Sequence, residues 1–283
     1  MMMTNFSLNP FSSMNLRQKT LAIIGLTSLL LILIFISSLA IDSSTIITNF
    51  ASRTQAPSFE HLFGTDWMGR DMLTRTIKGL GLSIMIGAFS SILSSIVAIV
   101  MAFVSSLNKY GDEFMSWLID LFASMPHLIL LILISLCLGK GAMGVIIGVG
   151  FTHWTSLARV LRVEIKEINT SEYVNLARRL GKGNFWIAKE HILPLVVTQI
   201  IVGTLLIFPH AIMHEASITF LGFGLSPHEP AIGIILSESM RYLSMGYWWL
   251  ALFPGLALLI VVLLFDIIGE QVEKLLDPTK AQK

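Results

Sequence analysis

His210 and His214 stand four residues apart, and Glu215 directly follows the second. Histidines at that spacing share one face of a helix, where neutral imidazoles can hold a metal ion. His214-Glu215 also begins the His-Glu-x-x-His arrangement of zinc hydrolases, but the fifth position is Ile218, so the hydrolytic constellation fails. His210 and His214 are left with two readings, a metal-handling face or a polar lining to a water-filled path near the outer mouth. Glu215 is a candidate for the same path, because an ionisable group in an apolar segment is a functional candidate by default. A carboxylate near a span end must face water or a partner. His127 and His153 read as packing or helix–helix hydrogen-bonding groups. The single cysteine, Cys137, lies in an apolar run and reads as a small packing residue.

A second cluster is Gly64-Thr65-Asp66, then Gly69-Arg70-Asp71, then Arg75. Thr65 or Asp66 can cap a helix, and Asp66–Arg70 and Asp71–Arg75 are i,i+4 pairs that would support it. This is either a surface helix laced by ion pairs or a surface that receives a partner. A third cluster runs from Thr170 to Gly181. Thr170 or Ser171 can cap it, and Glu172 suits the positive end of the helix dipole. Tyr173, Leu176, Ala177 and Leu180 give one apolar stripe at i, i+3, i+4 and i+7, and Gly181 allows a left-handed end. Asn184 to His191 read as a second helical stretch, with Pro194 marking entrance into the next span. The stripe serves a helix tucked against the bundle or one docked in a groove of a cytoplasmic partner.

The elements that must position these clusters are apolar. Of 283 residues, 54% are hydrophobic and 13% charged, against about 25% charged in an ordinary soluble domain. The mean hydropathy is +0.76. Asp, Glu, Lys and Arg are absent from 20–41, 79–108, 121–139, 141–158, 191–214 and 242–265. A bilayer-spanning helix needs about 20 apolar residues, so the runs predict six spans in an all-α membrane protein. The 20–41 run exceeds a signal-peptide core of about 7–15 residues and reads as an uncleaved first span. Gly141, Gly144, Gly148 and Gly150 predict a close-packed central helix. Pro126 and Pro209 are expected to kink their helices. Residues 216–228 are too short to span and read as a re-entrant or surface piece.

With the N-terminus inside, thirteen of the nineteen Lys and Arg fall on inner segments and six on outer ones. The positive-inside rule then places both termini in the cytoplasm. The expected organisation is a tail over 1–19, a first span over 20–41 and an outer segment over 42–78. A five-helix core over 79–270 follows, with a cytoplasmic loop at 159–191, and then a tail over 271–283. The net charge of +1 implies no nucleic-acid partner. No segment has room for an ATPase fold, and the phosphate-cradling G-x-x-x-x-G-K-[ST] pattern is absent. If ATP drives this protein, another chain binds it.

The inner loop resembles that of ATP-binding cassette (ABC) importer permeases, whose pattern is E-A-A, three residues, Gly, and later I-x-L-P. Ala177, Gly181, Ile192, Leu193 and Pro194 match, while Asn175-Leu176-Ala177 replaces E-A-A and lacks its glutamate. Gly64 to Arg75 is similar to the L-G-T-D-x-x-G-R-D-x-x-S-R signature of dipeptide, oligopeptide and nickel permeases of the second-subunit type. Glu215 to Gly224, with Pro227, Pro230, Gly233, Trp249, Pro254 and Gly255, resembles the same branch. The resemblance implies the type I importer fold, alternating access, and coupling to an ATPase through Glu172, Tyr173, Asn175, Leu176, Ala177, Leu180 and Gly181. It implies a second homologous permease, two cytoplasmic ATPase subunits that carry ATP and Mg, and an extracytoplasmic substrate-binding protein. This chain is expected to bind no cofactor and to catalyse nothing. The implied cargo is nickel or another metal chelate, towards which His210 and His214 lean, or short peptides. Two other classes fit less well. An ion-coupled transporter would need internal repeats and paired charges at mid-membrane, and a membrane metallohydrolase would need a third ligand.

Overall fold

The computed structural model describes residues 15–276 except Ser43 and Thr45. Parts of both expected tails, residues 1–14 and 277–283, lie outside the described residues. Helix α1 (Leu16–Ala40) covers the first apolar run and buries only Thr27, Leu31 and Ser38, so most of its surface is left for lipid. The chain then crosses a loop that includes the 3₁₀ turn Phe50–Ser52 before α2 (Met72–Leu107). This 36-residue helix is the spine of the fold. Its glycines let neighbours approach: a methyl at Gly81 would collide with Ser38 of α1, and one at Gly87 would lie 2.7 Å from Ile212.

The third span is not straight. Helix α3 (Lys109–Ser124) and α4 (His127–Cys137) meet at 96°. Pro126 supplies no N–H and disfavours helical backbone in the residue before it, and Met125 is extended there. Helices α5 (Gly141–Thr152) and α6 (Trp154–Thr170) break at His153. Gly144, Gly148 and Gly150 are buried in α5, against Ser135, Leu131 and Leu93. The glycine stripe is therefore the seam through which α5 packs on α4 and α2. Short α7 (Glu172–Arg179) and α8 (Asn184–Ile187) form the inner loop.

A π turn at Ala188–Ile192 joins α8 to α9 (Leu193–Phe220). Pro194 does not interrupt the chain, and one helical run extends over Asn184–Phe220. The π turn sits immediately before the proline, where its wider i→i+5 pairing absorbs a disturbance of the α-helical ladder. Pro209 is buried inside α9 without ending it. After α9 the chain turns back. Gly224 O accepts from Gly141 N, Phe223 O from Ser135 Oγ, and Gly222 O from Lys140 Nζ. This return leads into α10 (Ile232–Leu243), an amphipathic helix that the charge-free runs do not reveal. Its buried face is Ile232, Gly233, Ile234, Ile235 and Ser239. Finally α11 (Trp249–Leu276) packs on α1, α9 and α10. Among the described residues, five helical runs are long and apolar enough to cross a membrane, and the bent α3–α4 pair, counted as one span, makes six.

Candidate functional site

On the inner side, α7 turns two faces outward and inward. Val174 and Ala177, three residues apart, are buried in one apolar cluster with Ile165 and Ile168 of α6 and with Ile187 and Ile192. Tyr173, Leu176 and Leu180 are exposed, Leu180 to 71%. The expected single stripe is thus split: Ala177 anchors the helix, while the larger side chains point away from the bundle. Glu172 stands exposed in the first turn. The expected cap fails. The Ser171 hydroxyl donates back to Ile168 O at 2.6 Å and that of Thr170 to Glu167 O at 2.8 Å, so neither reaches the first amides of α7.

The other end of α7 is better closed. Gly181 has φ +78°, its N–H donates to Arg178 O, and Lys182 N–H donates to Ala177 O. That pair of bonds is a Schellman ending. Asn175 Nδ2 donates to Thr170 O at 3.2 Å, a bond that an ionised glutamate, which only accepts, could not make. Arg178 donates to Asn169 through both Nη atoms, at 3.1 and 2.9 Å, and so ties α7 to the end of α6. Beyond it, Phe185 is 85% exposed. A cavity of about 660 Å³ opens between Phe103, Asn169, Arg178, Phe185 and Ile192.

On the outer side, the Gly64–Arg75 cluster is an ordered turn and not a helix. Asp66 Oδ1 accepts from the backbone N–H of Met68 and Arg70 at 2.8 and 2.9 Å. Its Oδ2 accepts from Arg70 Nε and Arg75 Nη1, both at 2.6 Å. Glu238 of α10 accepts from Arg70 Nη2 at 3.2 Å and Arg75 Nη2 at 2.9 Å. Asp66 and Arg75 are only 2% and 4% exposed. The expected Asp66–Arg70 pair forms, but the Asp71–Arg75 pair does not. Helix α2 begins only at Met72, with Asp71 as its cap. The Asp71 carboxylate is spent on the N–H and hydroxyl of Thr74 and on His61 Nδ1, which frees Arg75 to reach Asp66 and Glu238. Thr65 caps nothing either; its hydroxyl donates to Ser52 O and accepts from Gln55 N. Gly69, at φ +76°, sits against Asn49 O, where an added Cβ would collide. The sequence gives no hint of Glu238, which lies 163 residues from Arg75.

Within the bundle, four histidines converge from three places. The His153 ring lies 4.6 Å from that of His214 and 5.7 Å from that of His127, centroid to centroid. Its Nδ1 faces Thr152 Oγ1 at 2.8 Å and Val149 O at 3.2 Å. His210 and His153 both line a cavity of about 270 Å³ between α6 and α9. His214 therefore meets a histidine of another element, in a row that the i,i+4 spacing does not announce. Among the described residues, no three His, Cys, Asp or Glu side chains are placed to hold a metal ion together. Glu215 departs furthest from expectation. It is fully buried, accepting from Ser83 Oγ at 2.6 Å and Thr219 Oγ1 at 3.0 Å. Thr219 Oγ1 in turn accepts from Leu225 N. Glu215 thus faces neither water nor open path; it fastens α9 to α2 and to the returning loop.

Residues 94–279 match the family of binding-protein-dependent transport system inner membrane components. The chain belongs to that family. It is a permease subunit of an ABC importer, a multi-pass inner-membrane protein. A dipeptide transport system permease protein of Alkalihalophilus pseudofirmus is 34% identical over 267 residues, covering 93% of this chain and 87% of that one. A putative peptide transport system permease protein of Brucella suis is 33% identical over 231 residues, covering 82% and 78%. Among solved structures, an inward-facing MetNI methionine ABC transporter superposes with TM-score 0.59 at 17% identity, over 72% of this chain and 96% of that one. An amino acid ABC transporter superposes with TM-score 0.55 at 15% identity, over 71% and 94%. The fold is thus that of type I importer permeases, as the motifs imply.

Proposed function

We propose that this permease forms half of a path for short peptides, opposite a second homologous permease, and is driven by two cytoplasmic ATPase subunits. ATP and Mg would sit on those subunits, and an extracytoplasmic binding protein would deliver cargo. The observation that carries the docking role is the outward apolar face of α7. Tyr173, Leu176 and Leu180 are held away from the bundle by buried Val174 and Ala177, and all three stay exposed among the described residues, Tyr173 with one edge against His191. Large exposed apolar side chains on a loop outside the bilayer mark an interaction surface. Peptide cargo is favoured by the relatives, two of which carry peptide or dipeptide transport in their names.

The test is co-purification. Leu176→Asp with Leu180→Asp should lose the ATPase subunits while the permease still accumulates in the membrane. Full retention of the ATPase would remove the docking assignment. A second reading, metal-chelate cargo, is favoured by the row of His127, His153 and His214 with His210 nearby. Among the described residues the row lacks a closed ligand set, so metal would be carried as part of a chelate and would not be held by these histidines alone.

A further inference from the structure

The docking face of α7 must be linked to α9 if a partner's movement is to reach the histidines. Two ties hold α7: the burial of Val174 and Ala177 in one apolar cluster with Ile165 and Ile168 of α6 and with Ile187 and Ile192, and the paired hydrogen bonds from Arg178 to Asn169 of α6. A third joins α7 to the foot of α9 through side-chain rings. The His191 ring stands 5.4 Å from the Tyr173 ring at 62° and 5.2 Å from the Trp186 ring at 80°. Both are edge-on contacts, the favoured geometry for aromatic rings. Lys182 Nζ lies 4.8 Å from the centre of the Trp186 ring, so the stack reaches back to the residue after Gly181.

His191 belongs to the π turn Ala188–Ile192, at the foot of α9. π turns recur at functional positions because their wider pairing leaves the helix local freedom. Tyr173 lies on the same outward face as Leu176 and Leu180, within reach of a docked partner. Pressure on that face therefore meets Tyr173, then His191, then the base of the helix that carries His210 and His214.

We infer that His191 is a positioning residue that transmits movement of α7 to α9 through the Tyr173–His191–Trp186 stack. It holds neither ATP nor cargo. The inference rests on the docking role proposed above, and the experiment separates the two.

The assembled importer is prepared in a Cys137→Ser, His210→Cys background, so that maleimide labelling at position 210 reports the path with and without ATP. ATP hydrolysis is measured in parallel. A complex without bound ATPase, or with no ATP-dependent change in labelling before His191 is altered, overturns the docking proposal itself. With that change present, His191→Ala should keep the ATPase bound and hydrolysis within about twofold. The ATP-dependent change in labelling should fall by about tenfold, the scale of two lost edge-on ring contacts. His191→Phe, which keeps a ring, should restore most of it. An undiminished response in His191→Ala overturns the inference, as does loss of the ATPase from it. Equal failure of His191→Phe would also overturn it, by assigning the effect to the imidazole's polarity. Should His191→Ala not accumulate, His191→Leu supplies the same comparison.

Discussion

At the residue scale, the outer cluster depends on Asp66. Its two oxygens serve two backbone amides and two guanidinium groups. Removing one partner of a buried ion pair leaves the others uncompensated, at a cost of about 3–5 kcal/mol. Asp66→Ala should therefore lower the thermal midpoint of the purified permease substantially, read by a dye-based melt in detergent. An unchanged midpoint would mean that Glu238 alone suffices for both arginines. Two glycines allow a sharper contrast. Gly69 and Gly181 both have positive φ, but only Gly69 has backbone within collision distance of an added methyl, whereas Gly181 has open space. Gly181→Ala should cost about 1–2 kcal/mol, the backbone penalty alone. Gly69→Ala should cost clearly more, since the Asn49 carbonyl must also move. Equal melting shifts for the two would refute the steric account.

At the scale of elements, α7 is an eight-residue helix, too short to stand alone in water. It persists because Val174 and Ala177 are buried and because Arg178 grips Asn169. The two faces should thus fail differently. Val174→Asp puts a charge into a packed site and should lower stability, with protein lost from the membrane fraction. Leu176→Asp should leave the melt unchanged and weaken only ATPase binding. Identical behaviour of the two variants would show that the faces are not distinct. This division was half legible in the sequence. The period of the stripe, the glycine end and the dipole-facing Glu172 all follow from local chemistry. Which of Val174, Leu176 and Ala177 turns inward depends on where α6 lies, and no eight-residue pattern contains that. The same limit hid α10, whose Glu238 and Arg241 break its apolar pattern into a stretch too short to read as a span. It also hid the true partner of Arg75, because the i,i+4 rule presumes a helix and α2 starts too late for Asp71 to serve.

For the whole molecule, the apolar runs marked the spans because the bilayer demands apolar length whatever the fold. The bend between α3 and α4 and the π turn were announced only by Pro126 and Pro194. Burial of Glu215 was not announced at all, since its partners Ser83 and Thr219 come from a helix packed across it and from its own next turn. The histidine row is exposed at His127 and His210 and half-buried at His153 and His214, and its part in cargo selection is open to a direct test. His210→Ala with His214→Ala should leave labelled dipeptide uptake within about twofold if the side chains only line a wet path. Metal-chelate uptake should fall by about tenfold or more if they exchange ligands with the metal, an effect on the scale of lost coordination partners. Unchanged metal uptake would end the second reading.

The π turn also decides what the longest helical run among the described residues can tolerate. Within residues 184–220, Ala188–Ile192 carries one residue more than an α turn would. The wider turn takes up that residue over nearly the rotation of an α turn, so Phe185 and Trp186 keep nearly the azimuth relative to His210 and His214 that an unbroken helix would give them. Deleting one residue there would close the π turn into an α turn and leave the inner loop facing the same way. Deleting one in the regular part of α9 would swing that loop by about 100°. The extra amino acid is thus a local reserve of length, set where the inner loop joins the span.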